Sequence, residues 1–209
     1  LTIQAQNALL KTIEETPTEV YIIILCESLE LILDTIKSRC EIYKLTPLTK
    51  DELYKYIAIK GYECSEEEKL SAIAFSEGIP GRIDRYFSDT ELQELRDKIV
   101  DLLLQLTNNE IEAILEKEEQ LVSYKQNKEE VVNVLSSFIR DILVNKEVYN
   151  ENLIINRDKI RSIERLTNEM SFKKLNKMLL GLQEARKNIK NNVSWAMTVR
   201  IMLMDFMEG

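Results

Sequence analysis

Apolar residues recur at three- and four-residue intervals along most of this chain, the period of an amphipathic helix. In "SDTELQELRDKIVDLLLQL" they fall at Leu92, Leu95, Ile99, Leu102 and Leu106, a stripe that predicts a helix with one face in a core. Val131, Leu135, Phe138 and Ile142 predict a second such face, and Phe172, Leu175, Leu179, Leu182 and Ile189 a third. The closing segment "VSWAMTVRIMLMDFM" differs. Trp195, Val199, Met202 and Phe206 form one stripe, while Met197, Ile201, Met204 and Met207 add apolar surface elsewhere. A helix that is apolar nearly all round is central to its bundle or packs against another subunit.

The first 90 or so residues have a different rhythm. "LTIQAQNALLKTIEETP" sets Ile3, Ala5, Ala8, Leu9 and Ile13 at helical spacing and stops at Pro17. The β-branched run in "EVYIIILCE" predicts a strand buried on both faces, "LELILDTIK" a short helix and "EIYKL" a short strand, the alternation of an α/β layer. Two strands do not make a stable sheet, and the chain opens on Leu1 in what reads as mid-helix. The expectation is therefore a C-terminal fragment whose sheet lies mostly upstream.

Pro47 marks a boundary. Beyond it Thr49 with Glu52, and Ser65 with Glu68, have capping-box spacing, each starting a helix. Gly78 is placed to end the second, and "IPGRIDRYF" opens a third. The expected fold is mainly α: the tail of an α/β domain over residues 1–46, a small three-helix unit over 47–88 and an all-helical domain over 89–209.

Composition narrows the chemistry. The 209 residues are 44% hydrophobic and carry 28 Lys and Arg against 36 Asp and Glu, a net charge of -8. Such a surface disfavours unspecific binding to a nucleic-acid backbone, which needs cations to displace counterions. Cys26, Cys40 and Cys64 are too dispersed for a CxxC pair and there is no histidine, so no metal site is predicted. The thiols read as small apolar fillers in a reducing cytosol. "VYIIILC" is far too short to span a bilayer, so no membrane role is expected.

Enzymatic motifs are lacking. No GxxxxGK[ST] loop occurs, and "GIPGR" lacks the Lys and hydroxyl that would hold phosphates and magnesium, so no cofactor is expected and tight ATP binding is not. The carboxylate runs "SEEEK" and "EKEEQ" read as solvated helix faces. So do the basic runs "NRDKIRSIER" and "ARKNIK", which have no interleaved aromatics.

Arg39 remains, in "TIKSRCEIYKL". Taken alone, an arginine beside a strand makes a surface ion pair. Its context points further. "QNALLKTIEETP", a hydrophobic strand, and then "TIKSRCEIYKLTPLTKDEL" resemble the clamp-loader branch of AAA+ proteins, and within it the delta-prime family of the bacterial DNA polymerase III clamp loader. Asn7, Ala8, Leu9, Leu10, Lys11, Glu14, Glu15 and Pro17 match the helix after the Walker B strand, and Ser38, Arg39 and Cys40 match the SRC motif. The ending "NVSWAMTVRIMLMDF" is like the family's closing helix.

The resemblance implies a lid domain over 47–88 and a collar domain over 89–209. It implies a subunit with no enzymatic activity of its own, accessory to the DNA polymerase III holoenzyme. Arg39 would reach, as an arginine finger, the ATP of a neighbouring subunit, with Ser38 and Cys40 as structural support. The implied partners are the gamma/tau and delta subunits, with the sliding clamp and primed DNA met through the complex. Cys26 and Glu27 stand where ATPase members have a sensor hydroxyl, and Gly81 where they have a second-sensor arginine, with Arg82 one place late. Both departures suit a subunit that lends an arginine without hydrolysing nucleotide itself. An ATP-hydrolysing subunit with its Walker motifs upstream, and a purely structural helical adaptor, are the alternatives.

Overall fold

The computed structural model describes residues 2–15, 17, 19–26, 28–108, 111–148 and 150–207, with backbone alone at 108 and 111–115. These residues form eleven α-helices and no strand, so the protein is mainly α. The chain divides into two compact units, 1–46 and 47–209.

The first unit contains α1 (Ile3–Glu14) and the four-residue α2 (Asp34–Lys37). Thr2 caps α1 through its hydroxyl, which accepts from the Ala5 amide. The two expected strands are not formed: residues 20–26 and 41–45 have no regular structure. Tyr21, Ile23 and Leu25 are 82–91% exposed, whereas burial on both faces was expected of their segment, and Leu45 of the second is 89% exposed. β-Branched composition supplies only propensity; a strand exists through ladder partners, and no described segment supplies one. The stripe of α1 is uncovered for the same reason, with Ile3 exposed and Leu9 and Ile13 only half-buried. Its buried residue is Gln6.

The second unit opens with α3 (Lys50–Lys60), α4 (Glu66–Ser76) and α5 (Pro80–Ser88). Both capping boxes form, Thr49 with Glu52 and Ser65 with Glu68. α4 ends through Glu77 and Gly78, both at positive φ. Leu53, Ile57, Ile73 and Ile83 make the core of the three helices. Asp84 ties α5 to α3 and the segment just beyond it, accepting from Tyr56 Oη and Tyr62 Oη at 2.7 Å each and from Lys60 Nζ at 3.2 Å.

The remaining helices are α6 (Thr90–Asn108), α7 (Ile111–Ser123), α8 (Lys128–Val148), α9 (Ile160–Glu169), α10 (Phe172–Lys190) and α11 (Trp195–Met207). Their buried residues form one large core. All five stripe residues of α6 and all four of α8 lie within it, each worth about 2 kcal/mol of burial. Trp195 is buried with its indole N–H donating to the Leu121 carbonyl at 3.0 Å. Phe172 departs from expectation: at the first turn of α10 it is 41% exposed, with the Lys146 ammonium over its ring.

Arg96 on α6 joins the three-helix group to the larger bundle. It is 1% exposed, and its guanidinium donates to Tyr86 Oη (2.9 Å), Gln93 Oε1 (3.0 Å), Asn156 Oδ1 (3.1 Å) and Asp158 Oδ1 (2.7 Å). Burial opposes its charge, but the Asp158 carboxylate and the Tyr86 hydroxyl together raise the pKa. Nearby Asp141, fully buried on α8, accepts from the Ile155 and Asn156 amides and the Asn156 side chain. Burial still pushes its pKa up, against those bonds. A buried charge tolerates such a place only when paired and hydrogen-bonded.

Candidate functional site

Ser38, Arg39 and Cys40 form the turn that leaves α2. Ile36, 2% exposed, anchors that short helix. Gln6 clamps the approach from α1: its side-chain amide donates to the Leu31 carbonyl at 2.8 Å and accepts from the Leu33 amide at 2.9 Å. A mid-helix glutamine looks like part of a solvated face, so the sequence carried no sign of this role.

The turn and α1 hold the Arg39 guanidinium at its two terminal nitrogens and leave the side chain partly exposed. Nη1 donates to the Thr35 carbonyl at 2.8 Å and to Ser38 Oγ at 3.4 Å, while Ser38 Oγ donates to the same carbonyl at 3.1 Å. Nη2 pairs with Glu14 Oε1 of α1 at 2.6 Å. The Arg39 side chain is 40% exposed and that of Glu14 49%. The surface ion pair suggested by Arg39 alone is therefore present, on a side chain that also faces solvent. Exposed pairs of this kind hold weakly, so the guanidinium can exchange Glu14 for another anion. Its planar fork suits phosphate oxygens better than a lysine would.

Cys40 is half-buried at the end of this turn. Cys64 is half-buried against the α3–α5 core, where burial raises its thiol pKa. Cys26 is exposed, unlike the apolar filler expected of it, because the segment carrying it lies unpaired. Glu27 lies outside the described residues. Arg82, in the first turn of α5, pairs with Glu77. A Cβ on Gly81 would meet nothing within 4 Å. Among the described residues, no cluster of acidic, cysteine or histidine side chains could hold a metal ion, and no helix is long and apolar enough to cross a membrane.

A motif-bearing turn on a small N-terminal unit, followed by a large helical bundle, defines a protein built around an exposed arginine and a packing scaffold. Comparison with known families makes this specific. Residues 1–49 match the family model described as "DNA polymerase III, delta subunit", and residues 101–207 match "DNA polymerase III, delta subunit, C terminal". The chain belongs to the DNA polymerase III delta-subunit family and is delta-prime-like within it. It is 23% identical to DNA polymerase III subunit delta' of Bacillus subtilis (strain 168) over a 212-residue alignment, covering all of this chain and 63% of the relative. It is 35% identical to subunit delta' of Escherichia coli (strain K12) over 81 residues, 39% of this chain and 24% of the relative. It is 39% identical to subunit gamma of Buchnera aphidicola subsp. Schizaphis graminum over 71 residues, 32% of this chain and 20% of the relative. The chain thus spans less than two thirds of each of these proteins.

Proposed function

We propose that this chain serves as a non-catalytic clamp-loader subunit that lends Arg39 to ATP bound by a neighbouring subunit. Residues 47–88 act as its lid and 89–209 as its collar, through which it joins gamma/tau- and delta-type subunits. The complex then opens a sliding clamp and seats it at primed DNA during replication.

The observation that carries this reading is the Arg39 turn, with the guanidinium pinned at Thr35 and Ser38 and its outer nitrogen held only by an exposed glutamate. Phosphoryl transfer is catalysed largely by positioning and neutralising charge on the transferred group. An arginine from the adjoining subunit supplies both. Ser38 orients the side chain, and Cys40 packs the turn's end.

Arg39→Ala in the reconstituted loader is expected to lower clamp-stimulated ATP hydrolysis by about 10²–10³ at the site it serves, with the complex still assembling. Arg39→Lys should recover only part of the rate, since it restores charge without the fork. Unchanged turnover in Arg39→Ala would overturn the proposal. A second reading is an ATP-hydrolysing subunit whose Walker motifs lie upstream. A GxxxxGK[ST] motif upstream of Leu1 in the parent reading frame would support it.

A further inference from the structure

Between α4, α5, α8 and α10 lies a cleft of about 730 Å³, within the range of small-ligand sites. Five arginines and three glutamates line it; Arg82 pairs with Glu77, Arg85 with Glu130, Arg96 with Asp158 and Arg140 with Asp141. Its apolar lining includes Phe75, Val134, Leu179 and Leu182.

Two of the arginines have donors to spare. Arg186 of α10 reaches across to α8, where Nη2 donates to Asn133 Oδ1 at 3.2 Å and Ser136 Oγ at 2.9 Å. Both acceptors are neutral, and among the described residues no carboxylate pairs with this guanidinium. Arg140 sits four residues beyond Ser136 on α8, about 6 Å along the axis. Its Nη1 is taken by Asp141 Oδ1 and the Leu153 carbonyl, at 2.9 Å each, and its side chain is 45% exposed. Asp141 is itself occupied by the Ile155 and Asn156 amides, which leaves Arg140 in a shared rather than exclusive pair. At the mouth, Arg85 donates to Glu130 at 2.5 Å, bridging α5 to α8.

We propose that this cleft binds a phosphate or pyrophosphate group of a small ligand, held between Arg140 and Arg186. Guanidinium forks match phosphate oxygens in pairs, and the lining carboxylates Glu77 and Glu130 are already taken by Arg82 and Arg85. The volume of the cleft suits a nucleotide-sized molecule. The site is separate from the Arg39 turn and does not depend on the role proposed for it.

Isothermal titration of the 209-residue chain with inorganic pyrophosphate and, separately, with a magnesium-free nucleoside triphosphate tests this. Saturable binding is expected, weakened at least about tenfold by Arg186→Ala and by Arg140→Ala, with helical content by circular dichroism unchanged. Arg186→Gln, which retains hydrogen-bonding capacity while removing the charge, replaces Arg186→Ala if the latter misfolds and should weaken binding similarly. Tighter binding of the nucleotide assigns the phosphate to a nucleotide whose body uses the apolar wall; equal affinity assigns it to free polyphosphate. No saturable binding of either probe, or binding indifferent to both variants, would overturn the proposal. So would binding of single-stranded DNA that pyrophosphate does not displace.

Discussion

Gly78 shows how much a single backbone position decides. It holds φ at +87°, and a Cβ there would sit 2.4 Å from Pro47 Cβ and 3.0 Å from the Leu48 carbonyl oxygen. Its own carbonyl accepts from the Leu48 amide at 2.8 Å, so the entry to α3 is laid against the exit from α4 at a place where only glycine fits. Gly78→Ala should therefore destabilise the 47–209 unit by about 2–4 kcal/mol, lowering its thermal midpoint by several degrees. Gly81→Ala, whose Cβ would meet nothing, should leave the midpoint nearly unchanged. A calorimetric scan of both variants decides the matter; equal stability would mean that the Pro47 contact yields freely. The sequence marked Gly78 as a helix stop, because that signal is local. It could not show Pro47 lying against it, because that contact joins positions 31 residues apart. Arg39 divides the same way: its motif was legible, but the Glu14 partner and the Gln6 clamp depend on how α1 lies beside α2.

Among the elements, the helices of the 47–209 unit were readable because their causes are short-ranged. The two capping boxes and the stripes of α6 and α8 act over three to seven residues, and the structure contains them. The strands were misread because a strand requires a partner that composition cannot specify. Arg96, Asn156, Asp141 and Asp158 were missed because "NRDKIRSIER" looks like surface, whereas in the fold its first residues satisfy a buried guanidinium. Asp84 yields a prediction at this scale. The Tyr62 hydroxyl first, and then that of Tyr56, hold its pKa below the usual carboxylate value. A depressed pKa means that the unfolded chain takes up the proton first as pH falls. The stabilisation is thus fully present above the unfolded value of 3.8 and disappears as pH drops through the lower folded one. Asp84→Asn should unfold more readily at neutral pH, yet lose less further stability than the parent between about pH 5 and pH 3. Urea unfolding across that interval measures the difference. Parallel acid limbs in the two proteins would show that Asp84 does not titrate with folding.

At the scale of the whole molecule, the question is where an acidic, mostly helical protein offers a surface for assembly. α11 buries Trp195, Val199, Met202, Leu203 and Phe206 yet leaves Met197 and Met204 53% and 54% exposed, with Met207 at 39%. Met197 and Met204 are seven residues apart, two helical turns, and so share one face; Ile201 between them is half-buried. Leu180 on the neighbouring α10 is 64% exposed. A line of exposed methionines is costly in a protein that works alone, and their flexible side chains adapt well to a partner. The same apolar excess predicts either a bundle centre or a subunit contact for this helix; its buried face is in the bundle core, and its exposed face is free for a partner. If 89–209 is the collar, Met204→Glu should weaken association with gamma- and delta-type subunits at least about tenfold. Because the side chain already faces solvent, the variant's own stability should move by no more than about 0.5 kcal/mol. Sedimentation of the mixed subunits, alongside a melting curve of the isolated chain, separates the two effects. Undiminished assembly by the variant would remove this face of α11 from the interface and shift the search to another side of the bundle.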